Sequence, residues 1–251
     1  MAKKQKETTY RKGRNGAILL VLMILLIALS LVLACTVFFR VETVRIEGNA
    51  RYSEEQILAV ANVDMGSNLI LTPGDQIAQR LYDGLPYIDR VEVHKHFPTT
   101  ILLDIVETTP VAVIATELGV KWIIDGKGKL LEPTDDATAA QYIDVQGLQA
   151  IDPQVGKTVQ VGEGHVAQLS GLLNLLQVLN ERGMAGKISS INASSRTELV
   201  MLYDGRLQAK LLNNVDFNRK ILILEEIAAV LGDSEYGVID MKSEKVFYSP
   251  G

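Results

Sequence analysis

VETVRIEGNARYSEEQI, residues Val41 to Ile57, carries three structural signals in seventeen residues. Val41, Val44 and Ile46 form a run rich in β-branched side chains, which predicts a strand. Gly48-Asn49 supplies the positive φ that a tight turn requires. Ser53, with Gln56 three residues later, is a capping box, because hydroxyl and amide satisfy N–H groups at a helix start. Ile57, Val60 and Ala61 then make one apolar helix face. A strand, a turn and a capped helix thus begin directly after a long apolar run, with almost no linker between.

That run, AILLVLMILLIALSLVLACTVFF from Ala17 to Phe39, carries no charge. A spanning helix needs about 20 apolar residues, which the run exceeds. Lys3, Lys4, Lys6, Arg11, Lys12 and Arg14 precede it against Glu7 alone, and a mixed flank of Arg40, Glu42 and Arg45 follows. The positive-inside rule then places residues 1–16 in the cytoplasm and the remainder outside. A cleaved signal peptide has an apolar region of only about 7–15 residues. VLAC (Val32 to Cys35) resembles a bacterial lipoprotein cleavage box, but Thr36, Val37, Phe38 and Phe39 continue the apolar run where a lipoprotein turns polar.

The chain has 251 residues, 25 basic and 30 acidic, for a net charge of −5. Without the six N-terminal cations and Glu7, 19 basic and 29 acidic residues remain, a net of −10. An acidic ectodomain lacks the basic footprint that nucleic acid demands. Cys35 is the sole cysteine, so disulfides cannot stabilise the ectodomain and a packed core must.

Further along, LTPGDQIAQRLYDGLP predicts a second helix, with Thr72 as N-cap, Pro73 at the first helical position and Asp75 facing the helix dipole. Ile77, Leu81 and Tyr82 form its apolar stripe, and Gly84 with Pro86 ends it. Ile88 to His94 alternates as a strand, His96 to Thr99 turns, and Ile101 to Val106 returns. The order is β-α-α-β-β over roughly 70 residues.

With these residues the segment resembles a POTRA domain, and its place after an N-in anchor is similar to the FtsQ/DivIB family of bacterial cell-division proteins. The resemblance is carried by Val44-Arg45-Ile46-Glu47-Gly48-Asn49, Ser53, Ile57, Asn68-Leu69 and Ile88-Asp89-Arg90-Val91-Glu92-Val93. Phe97-Pro98 and Val106-Glu107-Thr108-Thr109-Pro110-Val111 complete it in this half. In the second half, VKWIIDGKGKLLEP reads as a hairpin turning at Asp125-Gly126, and Trp122, Asp125 and Gly128 fit the family's pattern there. Tyr142 to Val145 is a short strand ending at Gly147-Leu148. Val166, Leu169, Leu172, Leu173, Leu176 and Leu179 recur at helical spacing, closed by Gly183. ELVMLYDGRLQAKLL is a hairpin turning at Asp204-Gly205. Phe217, Ile221, Leu224, Ala228 and Leu231 line a last helix ended by Gly232. Strands follow at Gly237 to Lys242 and Lys245 to Ser249, as the family ends. At Ala209-Lys210-Leu211 the chain departs from the family, whose members often have a Gly after the Leu.

The expected fold class is α+β: a single N-terminal transmembrane helix, a POTRA domain, and a second mixed α/β domain with an antiparallel sheet. Its divisions are a basic tail over 1–16, a span over 17–39, the POTRA domain over 40–109 and an FtsQ/DivIB-type domain over 110–251. The last boundary sits at Thr109-Pro110 because Pro cannot continue an interior ladder.

No residue pattern points to an enzyme. His94 and His96 share a strand face without a third ligand, and His165 is isolated. Asp135-Asp136 and Glu225-Glu226 are adjacent pairs that read as solvated faces. Neither a nucleophile elbow nor a phosphate-binding glycine loop occurs. No cofactor, metal or small-molecule substrate is expected. The remaining signal is an edge: a chain ending in a short strand leaves N–H and C=O groups free to pair with an extended peptide. The family resemblance implies that this strand and the preceding helix bind an FtsB/DivIC-like bitopic division protein, with an FtsL-like protein in the same complex. Carried onto this chain, the contacts are Lys245, Val246, Phe247, Tyr248 and Pro250, with Lys220 and Glu226 on the helix. It implies a non-enzymatic scaffold in the cell membrane at the division septum. A membrane-anchored, chaperone-like POTRA receptor for translocated chains is the alternative.

Overall fold

The computed structural model describes residues 13–232 and 234–251. Lys3, Lys4, Lys6, Glu7, Arg11 and Lys12 of the expected basic tail lie outside the described residues, as does the side chain of Arg14. Helix α1 (Gly13–Phe38) is continuous, and its stretch Ile18–Phe38 is long and apolar enough to cross a membrane. Nearly all its described side chains are exposed.

Four residues join α1 to strand β1 (Thr43–Glu47), and they are tied down. The Leu69 N–H donates to the Phe39 carbonyl at 2.8 Å, and Val41 N–H donates to the Ser67 carbonyl at 2.9 Å. Gly66 N–H donates back to the Val41 carbonyl at 2.8 Å. The Asn68 side-chain amide reaches the Cys35 carbonyl inside α1 at 3.3 Å, and the Phe39 ring meets Phe97 edge-on at 5.5 Å.

β1 is followed by α2 (Glu54–Ala61), α3 (Gly74–Gly84), β2 (Ile88–His96) and β3 (Thr100–Glu107), the β-α-α-β-β order read from sequence. β3 is central, parallel to β1 and antiparallel to β2. Ile57 and Ala61 from α2 and Ile77 and Leu81 from α3 pack on Ile101, Leu103 and Ile105 of β3. The Ser53–Gln56 capping box is present in both directions. Gly48 has φ +83°, and a Cβ there would collide with the Ile105 carbonyl, so only glycine lets β1 turn away beside β3. α3 begins one residue later than expected, with Pro73 as its N-cap. The Thr72 hydroxyl donates instead to the Asn68 carbonyl at 2.9 Å, which draws it into the preceding loop.

The second half holds β4 (Pro110–Thr116), β5 (Lys121–Asp125), β6 (Leu130–Thr134), α4 (Asp136–Ala139), β7 (Ile143–Ala150) and α5 (Val166–Glu181). It continues through β8 (Ile188–Asn192), β9 (Glu198–Tyr203), β10 (Leu207–Leu212), α6 (Phe217–Val230), β11 (Gly237–Asp240) and β12 (Phe247–Pro250). Its strands form one sheet in the order β12-β11-β10-β9-β8-β7-β4-β5-β6. Most neighbours are antiparallel, but β4 with β7, β7 with β8, and β10 with β11 are parallel.

α5 and α6 cover one face of this sheet through Leu172, Leu176, Leu179, Ile221 and Leu224. β4, β5 and β6 are buried on both faces: Ile114, Ile124 and Leu130 meet the helices, while Val113, Ile123 and Leu131 meet Tyr87 and Ala139. Burial on both sides explains why Val111 to Ala115 is an uninterrupted apolar run. The expected turn at Asp125-Gly126 is longer, and its left-handed residue is Gly128, φ +82°. The reason lies in Asp125, which is buried and accepts the N–H groups of Lys127 at 2.9 Å and Lys129 at 2.8 Å. At Asp204-Gly205 both residues do have positive φ.

The two sheets meet along a seam. Tyr87 is almost fully buried against Val113, Ile123 and Leu131. Its hydroxyl donates to Glu132, and the Arg51 guanidinium lies 3.7 Å from its ring centre. Lys129 is also buried, donates to the Ile88 carbonyl at 2.8 Å and stands 3.9 Å over the Tyr82 ring. The Thr108 hydroxyl donates to Asp125 at 2.9 Å, and Lys127 pairs with Asp89 at 2.7 Å. The Lys127 side chain is mostly exposed, and such a pair contributes at most about 1 kcal/mol. Each large apolar side chain buried contributes about 1.5–3 kcal/mol, so the aromatic cluster dominates the seam.

Candidate partner-binding edge

β11 and β12 close the C-terminal side of the nine-stranded sheet, with β12 outermost. The strand begins at Phe247 and not at Lys245, because the chain turns sharply between β11 and β12. Asp240 accepts the Lys242 N–H at 3.0 Å, and the Ser243 hydroxyl donates to the Lys245 carbonyl at 2.7 Å. Met241 leaves the β12 ladder and donates its N–H to Lys210 of β10 at 2.9 Å. Glu198 also holds Lys242 at 3.0 Å, and that carboxylate, helped by Asp240, raises the ammonium above its ordinary pKa.

The phase of the edge follows from one bond. Gly251 N–H donates to the Tyr236 carbonyl at 2.9 Å, extending the β11–β12 register by one position. Antiparallel pairs alternate between hydrogen-bonded and non-hydrogen-bonded. Ser249 and Phe247 therefore bond inward to Val238 and Asp240, whereas Tyr248 and Pro250 turn their backbone groups outward. Pro250 lacks an N–H, so Tyr248 N–H is the single outward donor of β12, with the Tyr248 and Pro250 carbonyls as acceptors.

Side chains divide the other way. Val246 and Tyr248 pack on the main core, and the Tyr248 hydroxyl donates to the Tyr236 carbonyl at 3.1 Å. Gly237 makes room for this, since a Cβ there would meet the Tyr248 ring and the Ser249 carbonyl. Phe247 points away and is 60% exposed. Lys245 is exposed in the connection. Lys220 of α6 reaches across to donate to the Ser243 carbonyl at 2.6 Å, so its ammonium supports the turn that delivers β12. Glu226 is exposed and lies six residues along α6, about 120° around the helix from Lys220. The structure thus gathers Lys220, Val246, Phe247, Tyr248 and Pro250 around one edge, and leaves Glu226 on a different helix face. Tyr236, 61% exposed, belongs beside the edge and was missed in the sequence. Its signal was an aromatic immediately before the glycine that starts β11.

Such an edge can pair main chain with an extended peptide, with Phe247 as an exposed anchor. Elsewhere, His94 stands 3.5 Å from the Glu92 carboxylate, while Asp135 caps α4 and has its pKa lowered by the Thr138 N–H. Among the described residues no three His, Cys, Asp or Glu side chains converge as a metal site.

A family profile described as "POTRA domain, FtsQ-type" matches residues 39–108. The cell division protein FtsQ of Syntrophotalea carbinolica is 25% identical over 210 residues, covering 81% of this chain and 70% of that protein. FtsQ of Streptomyces venezuelae is 31% identical over 131 residues, 51% of this chain but only 48% of the relative. The cell division protein DivIB of Clostridium tetani is 23% identical over 185 residues, 73% of this chain and 68% of its own length. The long matches run through both sheets, and the order and cores of those sheets are the ones described above. The chain carries an FtsQ-type POTRA domain at residues 39–108 and is similar over most of its length to cell-division proteins named FtsQ and DivIB.

Proposed function

We propose that this chain is a non-enzymatic scaffold of the bacterial division machinery that binds an FtsB/DivIC-like bitopic protein by strand addition to β12, with an FtsL-like protein in the same assembly. In this reading residues 1–16 face the cytoplasm, 17–39 cross the membrane, and the units 40–109 and 110–251 work outside it at the septum. The observation that carries it is the outermost position of β12, which presents the Tyr248 N–H and two carbonyls beside exposed Phe247. Lys220, holding the turn before β12, acts as a positioning residue for this edge. The tie between α1 and the first sheet supports the same role, because it sets the binding edge at a fixed height over the membrane.

The test is binding of the full chain, in detergent, to the ectodomain of an FtsB/DivIC-like coiled-coil protein from the same cell. Tyr248→Pro, judged against Tyr248→Ala, which loses the same ring and hydroxyl but keeps the N–H, deletes the single outward donor without removing a β11–β12 main-chain bond, and Phe247→Ala removes the anchor. Each of these two losses is expected to weaken binding about tenfold, which is about 1.4 kcal/mol. Undiminished binding by both, with the fold intact, would refute strand addition at β12. Capture of many unrelated unfolded peptides with equal affinity would favour the chaperone-like receptor.

A further inference from the structure

We propose that Met65, Ile70, Leu71 and Phe97 form an apolar lip that sits in the headgroup–acyl boundary of the membrane crossed by α1, on the side of the two sheets. This rests on the reading of α1 as a membrane span. Ile18–Phe38 is 21 residues, about 31 Å at about 1.5 Å per residue, which matches a hydrocarbon core of about 30 Å. Phe38 then marks the outer boundary of the hydrocarbon, and Cys35 lies three residues, about 4.5 Å, beneath it.

The loop between α2 and α3 reaches that depth. Asn68 bonds the Cys35 carbonyl, Leu69 bonds the Phe39 carbonyl, and Gly66 and Ser67 bond Val41. Met65, Ile70 and Leu71 lie within two residues of these contacts, and Phe97 is held against the Phe39 ring. All four are large, apolar and open: Leu71 is 79% exposed, Phe97 60%, Met65 55% and Ile70 46%. Facing water they would be a costly cluster beside the chain's own anchor. Placed in the interface they bury apolar surface against lipid, as monotopic elements do.

The charged groups nearby suit that zone. Lys95 donates its ammonium to the Ile70 carbonyl at 2.8 Å, so its aliphatic stem lies along the lip with its charge held by backbone. Arg40 donates to the Thr36 carbonyl at 3.3 Å at the helix end, and Asp64 and His96 are exposed at headgroup level. A bilayer is the occupant that the geometry favours, because α1 brings it to this face whenever the chain is anchored. The lip would fix the tilt of the POTRA domain as well as its height.

The experiment uses the full chain carrying Cys35→Ser, with one fluorophore-labelled cysteine at a time, in vesicles of phosphatidylcholine and phosphatidylglycerol containing spin-labelled lipid. Leu71→Cys reports the lip and Leu25→Cys the middle of the span. Leu118→Cys, in the exposed turn between β4 and β5, sets the level for water. The expected result is that Leu25 and Leu71 labels both lose most of their emission, Leu71 most strongly with the shallow spin label, while Leu118 keeps its own. Quenching at Leu25 with Leu71 at the Leu118 level would overturn the lip, leave the span intact, and open this face to a protein partner instead. An unquenched Leu25 label would overturn the span, and the lip with it.

Discussion

At the scale of single residues, Tyr87 does most to join the two sheets. Burial, reinforced by its hydrogen bond to Glu132, pushes the phenol well above its ordinary pKa of 10.0, and Tyr52 beside it is raised by burial too. A group whose folded-state pKa is raised contributes stability that is complete below its unfolded value and is lost above it. Stability from Tyr87 is therefore constant up to about pH 10 and declines at higher pH. Lys129 acts in the opposite sense: burial lowers its pKa, so its charged form is disfavoured in the fold and stability gains as it deprotonates. The clean readout is a difference between proteins. Tyr87→Phe is expected to cost about 1 kcal/mol near pH 7.5, from the lost hydrogen bond. Its stability is expected to fall less than that of the parent chain between pH 9.5 and 11, with Tyr52 providing the residual slope. Urea midpoints of the detergent-solubilised chain measure both, and parallel pH profiles would remove Tyr87 from the account.

Elements carry a different kind of constraint. β7 changes its offset against β4 between Ile114 and Ala115: Ile114 faces Val145 and Ala115 faces Gln149. The slack is taken up around Gly147, whose φ is +81° and whose missing Cβ would occupy the space of the Ser194 backbone. A bulge with a left-handed glycine lets one strand serve two partners out of step. Gly147→Ala is expected to destabilise the chain by more than about 1 kcal/mol, measured by denaturant midpoint. Gly186→Ala, where nothing lies within reach of a Cβ, is the control and is expected to stay within about 0.5 kcal/mol. Equal effects at both positions would mean that the bulge relaxes around a side chain.

For the molecule as a whole, the question is whether two sheets act as one unit. The seam combines the Tyr87 cluster, the buried Lys129 ammonium, and the Thr108 and Thr109 hydroxyls, the latter donating to Asn180 of α5 at 3.0 Å. Its apolar part outweighs its exposed ion pair, so thermal unfolding of the parent chain is expected to be a single calorimetric transition that salt changes little. The double variant Tyr87→Ala, Lys129→Ala is expected to split it in two, since each sheet keeps its own helices and core. A single transition persisting in the double variant would show that the remaining contacts couple the sheets.

Local signals in this chain were legible because they are satisfied within a few residues. The long helix α1 is a matter of an apolar run, the Ser53–Gln56 box of two side chains and two N–H groups, and the Asp204-Gly205 turn of one backbone conformation. The apolar periods of α3, α5 and α6 likewise showed most of the faces they bury, although Tyr82 and Val166 are exposed and α5 also buries Leu175 and Val178, and the terminal strand does lie at the sheet edge. What tertiary structure alone decided is everything that depends on partners distant in sequence. β8 was invisible because Ile188–Asn192 has little pattern until β7 and β9 flank it, and the parallel joins at β4, β7 and β8 leave no turn to read. The phase of β12 depends on one bond from Gly251 to Tyr236. The buried Asp125 and Lys129 look like ordinary surface charges in the sequence, yet they enter the seam because the opposite sheet offers Thr108 and the Ile88 carbonyl. Long-range pairing places such groups, and the residues that will face each other carry no local mark of it.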